Sequence, residues 1–473
     1  MKDECVLASP LRFCLERFTS SMKEKRLNLG EGPVGPLLLK MSLPSIASLM
    51  VMAFYNLLDA FWLARLGPDA VAALTISFPV QILFAAVGVG TGIGAASFAS
   101  RMFGAGEEEQ AQKSCGQAIF LSVILGLLTI LAGIVYTEPI LRAFGATEEI
   151  LPLCVKYLRT YIFTAPFLFF LLMANNLFRA GGNPKLSMIV VIAASILGGV
   201  FDPLLIFGWG PFPEMGIRGA AAAAVISYLL SSLLSLFYLF RGHSHYRPRW
   251  AYVLPDVKLI GAIYRVGFPA LIMNVGISIV MTVFNHVLAG FGPNALAALG
   301  LLFRINGVAI WVLFGIGHGV LPMVGFNYGA CLFSRLRDVV TTAVKWSSLF
   351  AGASCLIMEI FARPIISFMT DDPALVAVAV PALRIYISVQ VLAGPTIVWI
   401  NMFNGLGKGF TSMFFLFIRD FLFLVPFLFI LPAFWGLNGV WASLPISNLI
   451  SFTVIYLWTK REFGRLPADA VRS

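Results

Sequence analysis

Two aspartates, Asp59 in FYNLLDAFWLARLG and Asp202 in GGVFDPLLIFG, stand inside sequence that is otherwise almost wholly apolar. A carboxylate within a membrane helix costs about 2.5–3.5 kcal/mol on insertion scales, so one that is kept marks an ion or cargo pathway by default. The competing structural reading, an acid quieted by a neighbouring donor, explains less. Tyr55 lies one turn before Asp59 and Asn56 three residues before it, both within side-chain reach on a helix. Asp202 precedes Pro203, which removes a backbone donor and crowds the preceding turn, so a bend is predicted beside the acid. Gln81, and more weakly Thr75, are further cavity candidates. Asn176, at the end of the fourth apolar block beside Asn175, serves packing or a cavity. His286 and His318 have no carboxylate neighbours in sequence and read as satisfied interior residues. Arg419-Asp420 lies two or three turns from Lys408 and reads as an interfacial snorkelling pair in preference to an intramembrane one.

Other chemistries find no footing. The six cysteines form no CxxC or other metal spacing and read as free thiols, and the four histidines build no cluster with acids. GVGTGIG (88–94) sits within an apolar block, with no preceding strand and no following Lys-Ser/Thr, so it is a packing feature and not a phosphate loop. No catalytic residue, metal site or organic cofactor is expected. Without a nucleotide motif, uphill transport must draw on an ion gradient or on a partner.

The elements that carry these residues are membrane helices. Of the 473 residues 59% are hydrophobic and 12% charged, where a soluble chain has about 25% charged. Apolar blocks near 41–66, 74–100, 114–136, 157–178, 186–208, 217–240, 259–290, 299–325, 340–362, 379–403, 411–435 and 436–459 are each long enough to cross a core of roughly 30 Å. The alternation of a membrane barrel is absent. The fold class expected is an all-α polytopic membrane protein with twelve transmembrane helices in two six-helix bundles around a central cleft.

A net charge of +10 is compatible with nucleic-acid binding, but the basic residues gather in alternate loops. The largest internal cluster, Arg241, Arg247, Arg249, Lys258 and Arg265, joins the sixth and seventh blocks. This positive-inside pattern predicts an inner-membrane protein with both termini cytoplasmic. The predicted organisation is a tail at 1–36, a first lobe at 37–240, a basic hinge-like connector at 241–258, a second lobe at 259–460 and a tail at 461–473. Residues 1–21 precede what already looks like a complete start at Met22, so they are expected to be dispensable, and no cleaved signal peptide is expected.

The chain repeats with an offset of 225 residues. Pro44 matches Pro269, LGPDAVAAL (66–74) matches FGPNALAAL (291–299), and Gly90, Gly92 and Gly94 match Gly315, Gly317 and Gly319. Gly104 matches Gly329, LRTYI (158–162) matches LRIYI (383–387), and Asn176 matches Asn401. An even number of helices per half relates the halves by an axis along the membrane normal, with a path between them. At this offset Asp59 corresponds to Phe284 and Asp202 to Phe427, so both acids belong to the first lobe.

YNLLDAFWLARLGPDAVAAL, MFGAGEEEQA, LFRAGGNPK, FDPLLIFG followed by G-x-x-GAA, and VGFNYGA together resemble the multidrug and toxic compound extrusion (MATE) family, from about residue 30 to 460. The resemblance implies a secondary antiporter that expels amphipathic, often cationic organic compounds in exchange for H⁺ or Na⁺. It implies that first- and fifth-helix acids, here Asp59 and Asp202, carry the coupling ion, since the seventh helix offers Asn274 and the tenth has no acid. Two oxygen-bearing residues of that branch are lost: an Asn is Gly198 and a Thr is Ala224. Na⁺ needs several oxygens and a proton only one acceptor, so H⁺ coupling is favoured. Small organic cations and membrane lipid are the expected partners, with one chain sufficient for activity and no nucleic acid. The alternative reading is a lipid-linked oligosaccharide flippase or polysaccharide exporter, for which intramembrane Arg and Lys would be expected. A membrane-embedded enzyme is more distant still.

Overall fold

The computed structural model describes residues 27–241, 244–247 and 249–467; the tail at 1–21 lies outside them. Among the described residues every regular element is helical. The first nine spans are α1 (Val34–Ala64), α2 (Pro68–Ala105), α3 (Glu108–Ala143), α4 (Leu151–Ala180), α5 (Pro184–Ile206), α6 (Ile217–Phe240), α7 (Val257–Ala289), α8 (Pro293–Gly329) and α9 (Phe333–Ile360). A short helix, Ala362–Met369, follows α9. Next comes α10, formed by Pro373–Ile387 and Gln390–Gly405 with a 43° bend between them. The last helical stretch, Gly409–Arg465, has 57 residues, about 85 Å of helix and more than twice a bilayer core. Gly436 breaks it with φ 55° and ψ −137°, giving α11 (409–435) and α12 (437–465). The expected twelve spans are therefore present in the described residues.

Local chemistry sets the boundaries. Gly67 and Gly292 hold positive φ values of 112° and 96°, and Pro68 and Pro293 then occupy the first helical turn, where a missing N–H is harmless. Asn183 and Asp256 cap α5 and α7 by accepting from Leu186 N and from Lys258 and Leu259 N. Leu131, Leu356, Ile360 and Phe434 are all exposed, as befits a surface whose solvent is lipid. α5 runs unbroken through Pro203, which sits in its final turn.

The repeat is visible in space. A methyl group at Gly104 would overlap the Phe326 carbonyl, and one at Gly329 would overlap that of Arg101. Gly94 abuts Ile263 and Gly267 of α7, while Gly319 abuts Met41 and Ser42 of α1. Each contact maps onto the other at the 225-residue offset. All lie in the second halves of α2 and α8, on the face where α1 begins and α12 ends. There the halves are not separate bodies. Leu38 and Met41 of α1 are buried with Val320 and Met323 of α8, and Ile263 of α7 is buried with Ala95 and Phe178.

The connector is anchored to the first half. Gln117 of α3 donates to the carbonyls of Tyr252 (2.9 Å) and Leu254 (2.6 Å) and accepts from Asp256 N (3.2 Å). In mirror fashion, the segment before α1 is tied to the second half. Asn327 donates to Leu29 O (3.1 Å), and Arg335 donates to Gly32 O and Glu31 O, both at 2.7 Å.

Candidate functional site

The interior of the first half brings Asp59 and Tyr55 of α1 toward Asp202 of α5, Tyr157 and Tyr161 of α4, and Tyr228 of α6. Each phenol lies within electrostatic reach of Asp59, and the two carboxylates lie within reach of one another. Helical spacing explains the grouping. Tyr55, Asp59 and Trp62 share one face of α1, and Tyr157 and Tyr161 are one turn apart. Tyr157 and Tyr161 stack at 5.7 Å between ring centroids, and Phe84 stacks on Tyr161 at 6.0 Å. Gln81 of α2 donates to the Tyr157 hydroxyl at 3.2 Å, and Tyr161 and Tyr228 hydrogen-bond to each other.

Asp202 is 0% exposed, and neither of its carboxylate oxygens has a hydrogen-bond partner among the described residues. Asp59 is half-buried. A buried carboxylate with no donor is an expensive anion. Asp202 and the half-buried Asp59 beside it do not both ionise cheaply, and together they favour holding a proton or a bound cation. Gly198, one turn before Asp202, accommodates Tyr55. A side chain there would begin 2.7 Å from the Tyr55 hydroxyl, so the phenol occupies the space an amide at 198 would use. Ala224, the other position short of an oxygen, is buried among apolar neighbours.

Not every candidate joins this group. Asn56 is exposed on another face of α1, and Thr75 is exposed on α2 with its hydroxyl bonded to Val71 O. Asn176 lies elsewhere, near the seam between halves. It is buried against Gly92, donates to Leu172 O (2.8 Å) and accepts from Arg179 (2.8 Å). Asn401, its repeat partner, packs against Gly317 and donates to Ile397 O. Phe284 is buried in the core of the second half and Phe427 stacks on Phe423.

Three sequence expectations need correction. His286 is exposed, not interior, because it projects from the side of α7 opposite the buried Phe284 and Leu288. His318 is inside but not satisfied, since its Nδ1 has no partner. Arg419–Asp420 does not snorkel outward but is turned into the helix bundle. It lies ten residues into α11, about 15 Å along the axis, with Asp420 buried and held by two bonds of 2.7 and 3.0 Å. These residues belong to a π-helical stretch, Ile418–Leu424, which re-aims neighbouring side chains. The tyrosines Tyr157, Tyr161 and Tyr228 were absent from the sequence candidates. The signal available was the four-residue spacing of the first two beside the repeated LRTYI motif.

The described residues contain no group of three or more His, Cys, Asp or Glu arranged to hold a metal ion.

Comparison with known proteins places these features in context. The MatE family model matches residues 44–204 and again 269–430, two copies at the offset of the internal repeat. The chain is 28% identical over 445 residues to the FAD transporter of Shewanella oneidensis, covering 93% of this chain and 97% of that protein. It is 26% identical to the multidrug export protein MepA of Staphylococcus saprophyticus, covering 78% and 81%. Among solved structures, an outward-facing multidrug resistance MATE transporter superposes with a TM-score of 0.87 at 26% identity, covering 94% and 99% of the two chains. A MATE transporter in its bent conformation gives 0.88 at the same identity, covering 93% and 99%.

Proposed function

Because the chain belongs to the MatE family of multi-pass efflux transporters, we propose that it is a secondary antiporter that exports amphipathic organic compounds by alternating access, driven by inward proton flow through Asp59 and Asp202. The observation that carries this reading is the buried Asp202 carboxylate, without a donor and within electrostatic reach of Asp59. Such a pair changes charge by taking up or releasing one proton, and that change alters how tightly α1 and α5 attract a cation or each other. Proton in preference to Na⁺ is supported by Gly198 and Ala224, which supply no side-chain oxygen. Both termini are cytoplasmic in this reading, following the basic connector, and one chain suffices. The multidrug export in the name of MepA supports drugs as cargo, the acids of the first half favour cationic ones, and the FAD transporter supports a second cargo class, FAD.

Everted membrane vesicles test this. Asp59→Asn and Asp202→Asn are each expected to reduce gradient-driven dye accumulation at least tenfold with unchanged insertion. A proton gradient alone should energise the wild type. Accumulation that requires Na⁺ and ignores protonophores overturns proton coupling, and wild-type rates in both variants overturn the assignment of the acids. Displacement of the dye by FAD in the same vesicles decides between the cargo classes.

A further inference from the structure

Arg179 ends α4 at the seam between the halves and is only 6% exposed. Its guanidinium donates to Asn176 Oδ1 at 2.8 Å and to Ser187 Oγ at 3.3 Å. Both acceptors are neutral, and no carboxylate among the described residues pairs with it. The same frame occurs in the second half without a charge. The 225-residue offset places Asn401 at Asn176, Ser412 at Ser187 and Asn404 at Arg179, and Ser412 Oγ donates to Asn404 Oδ1 at 2.6 Å. The scaffold therefore stands with a neutral amide at this position and does not by itself require a cation.

Its surroundings are the closed layer of the molecule. Arg179 acts electrostatically on His318 of α8, from the opposite half, whose Nδ1 is unpartnered. Asn404, its counterpart, accepts from Ser97 of α2 through its carbonyl. Arg101 of α2 and Arg265 of α7 feel each other's charge in the same seam. A guanidinium stays protonated at any physiological pH, and a fixed positive charge in a dry constriction repels cations approaching from either side.

We infer that Arg179 is a fixed electrostatic barrier that keeps cations, protons included, from crossing the closed side of the transporter while the other side is open. The inference rests on the antiport reading, because only a coupled transporter needs its closed side proof against its own coupling ion. The test is cargo-free cation leak in proteoliposomes containing the full chain, with an internal pH dye and a K⁺ diffusion potential set by valinomycin. Arg179→Gln is expected to raise proton leak about fivefold or more over wild type, and Arg179→Lys to restore most of the seal. His318→Glu keeps the arginine but supplies a counter-charge, and it should leak as Arg179→Gln does. It carries the test if Arg179→Gln fails to insert. Leak at the wild-type level in both charge-cancelling variants overturns the inference. So does equal leak in Arg179→Lys and Arg179→Gln, which is the mark of a packing role, or a rise confined to chloride, which is the mark of an anion site. Dye efflux is read in the same wild-type vesicles. If the wild type moves no cargo, the antiport reading fails; if it does and the variants stay tight, only the barrier fails.

Discussion

At Gly198 the absence of a side chain is what shapes the site. The Tyr55 ring lies so close to α5 that a methyl group at 198 would meet its edge at 2.5–2.7 Å, well inside van der Waals contact. Overpacking of this kind costs about 1–3 kcal/mol, so Gly198→Ala is expected to lower the thermal midpoint of the detergent-solubilised protein by several degrees. Tyr55→Ala combined with it should be milder than the sum of the two single changes, because the clash needs both partners. Strict additivity in the double-mutant cycle would show that the ring simply swings away. Asp59 and Asp202 were legible in the sequence because charge in an apolar run is conspicuous. The phenols that complete the group were not, since Tyr157, Tyr161 and Tyr228 are ordinary residues on ordinary helix faces until α4 and α6 are packed against α1. The carboxylate pair also has a control in the second half. Phe427 is half-buried, and Phe427→Leu removes an aromatic face worth about 0.5–2 kcal/mol to an organic cation but no titratable group, whereas Phe284 is closed in the core of its half and Phe284→Leu alters packing alone. Phe427→Leu is expected to change which dyes are exported, Phe284→Leu to lower the thermal midpoint, and both to leave the dependence on external pH as in wild type. A shifted pH profile with unchanged dye preference would bring the second half into coupling.

Helix α11 departs from its repeat partner α5. Over Ile418–Leu424 it winds as a π-helix, whereas the corresponding residues 193–199 of α5 are α-helical. The π-stretch carries Arg419 and Asp420 and lets adjacent side chains meet, which an α-helix does not favour. Around them, Gln390 donates to Asn306 Oδ1 at 2.8 Å, and Asn306 also bonds Tyr386. The second half thus holds a neutralised polar network where the first holds bare acids. Removing one member leaves a buried charge uncompensated, at a cost of about 3–5 kcal/mol, while replacing both partners by apolar groups is close to neutral. Arg419→Leu is therefore expected to unfold or to lose expression. Arg419→Leu with Asp420→Leu should recover a thermal midpoint near wild type in fluorescence-detected unfolding. A double variant as unstable as the single would mean the π-stretch itself depends on the ion pair. The apolar blocks announced the twelve spans. The breaks inside them, the bend at Ser388–Val389 in α10 and the π-stretch in α11, left no mark in a hydrophobicity pattern, because they arise from how neighbouring helices crowd one another.

For the molecule as a whole, alternating access requires that the seam on the face where α1 begins and α12 ends come apart. Its closest approaches are of backbone to backbone, at Gly94, Gly104 and Gly329, and side chains join them where Ser42 of α1 meets Gly319 and where Thr91 of α2 bonds Tyr264 of α7 at 3.2 Å. The two-lobe plan was legible from the repeat. The packing of the first turns of α1 and α7 against the opposite halves was not, because sequence similarity reports which segments are alike and not which ones touch. Glycine contacts of this kind are tight but hold little energy apart from dispersion and a few hydrogen bonds, so separation is feasible if the acids in the first half change charge. Ser100 and Gly325 offer a direct test. A Cβ built at Gly325 lies 3.0 Å from Ser100 Cβ, about half an ångström short of the roughly 3.5–4.5 Å span of a disulfide. Ser100→Cys with Gly325→Cys, in a chain otherwise freed of cysteine, is expected to cross-link under mild oxidation. Cross-linking should stop dye export by a factor of about ten or more, and reductant should restore it, since the state open on the face where α1 begins would be excluded from the equilibrium. The single-cysteine chains should export normally under both conditions. If the cross-linked protein turned over at the rate of the reduced one, the seam would not open during transport, and cargo would have to pass by a route that leaves α2 and α8 in contact throughout.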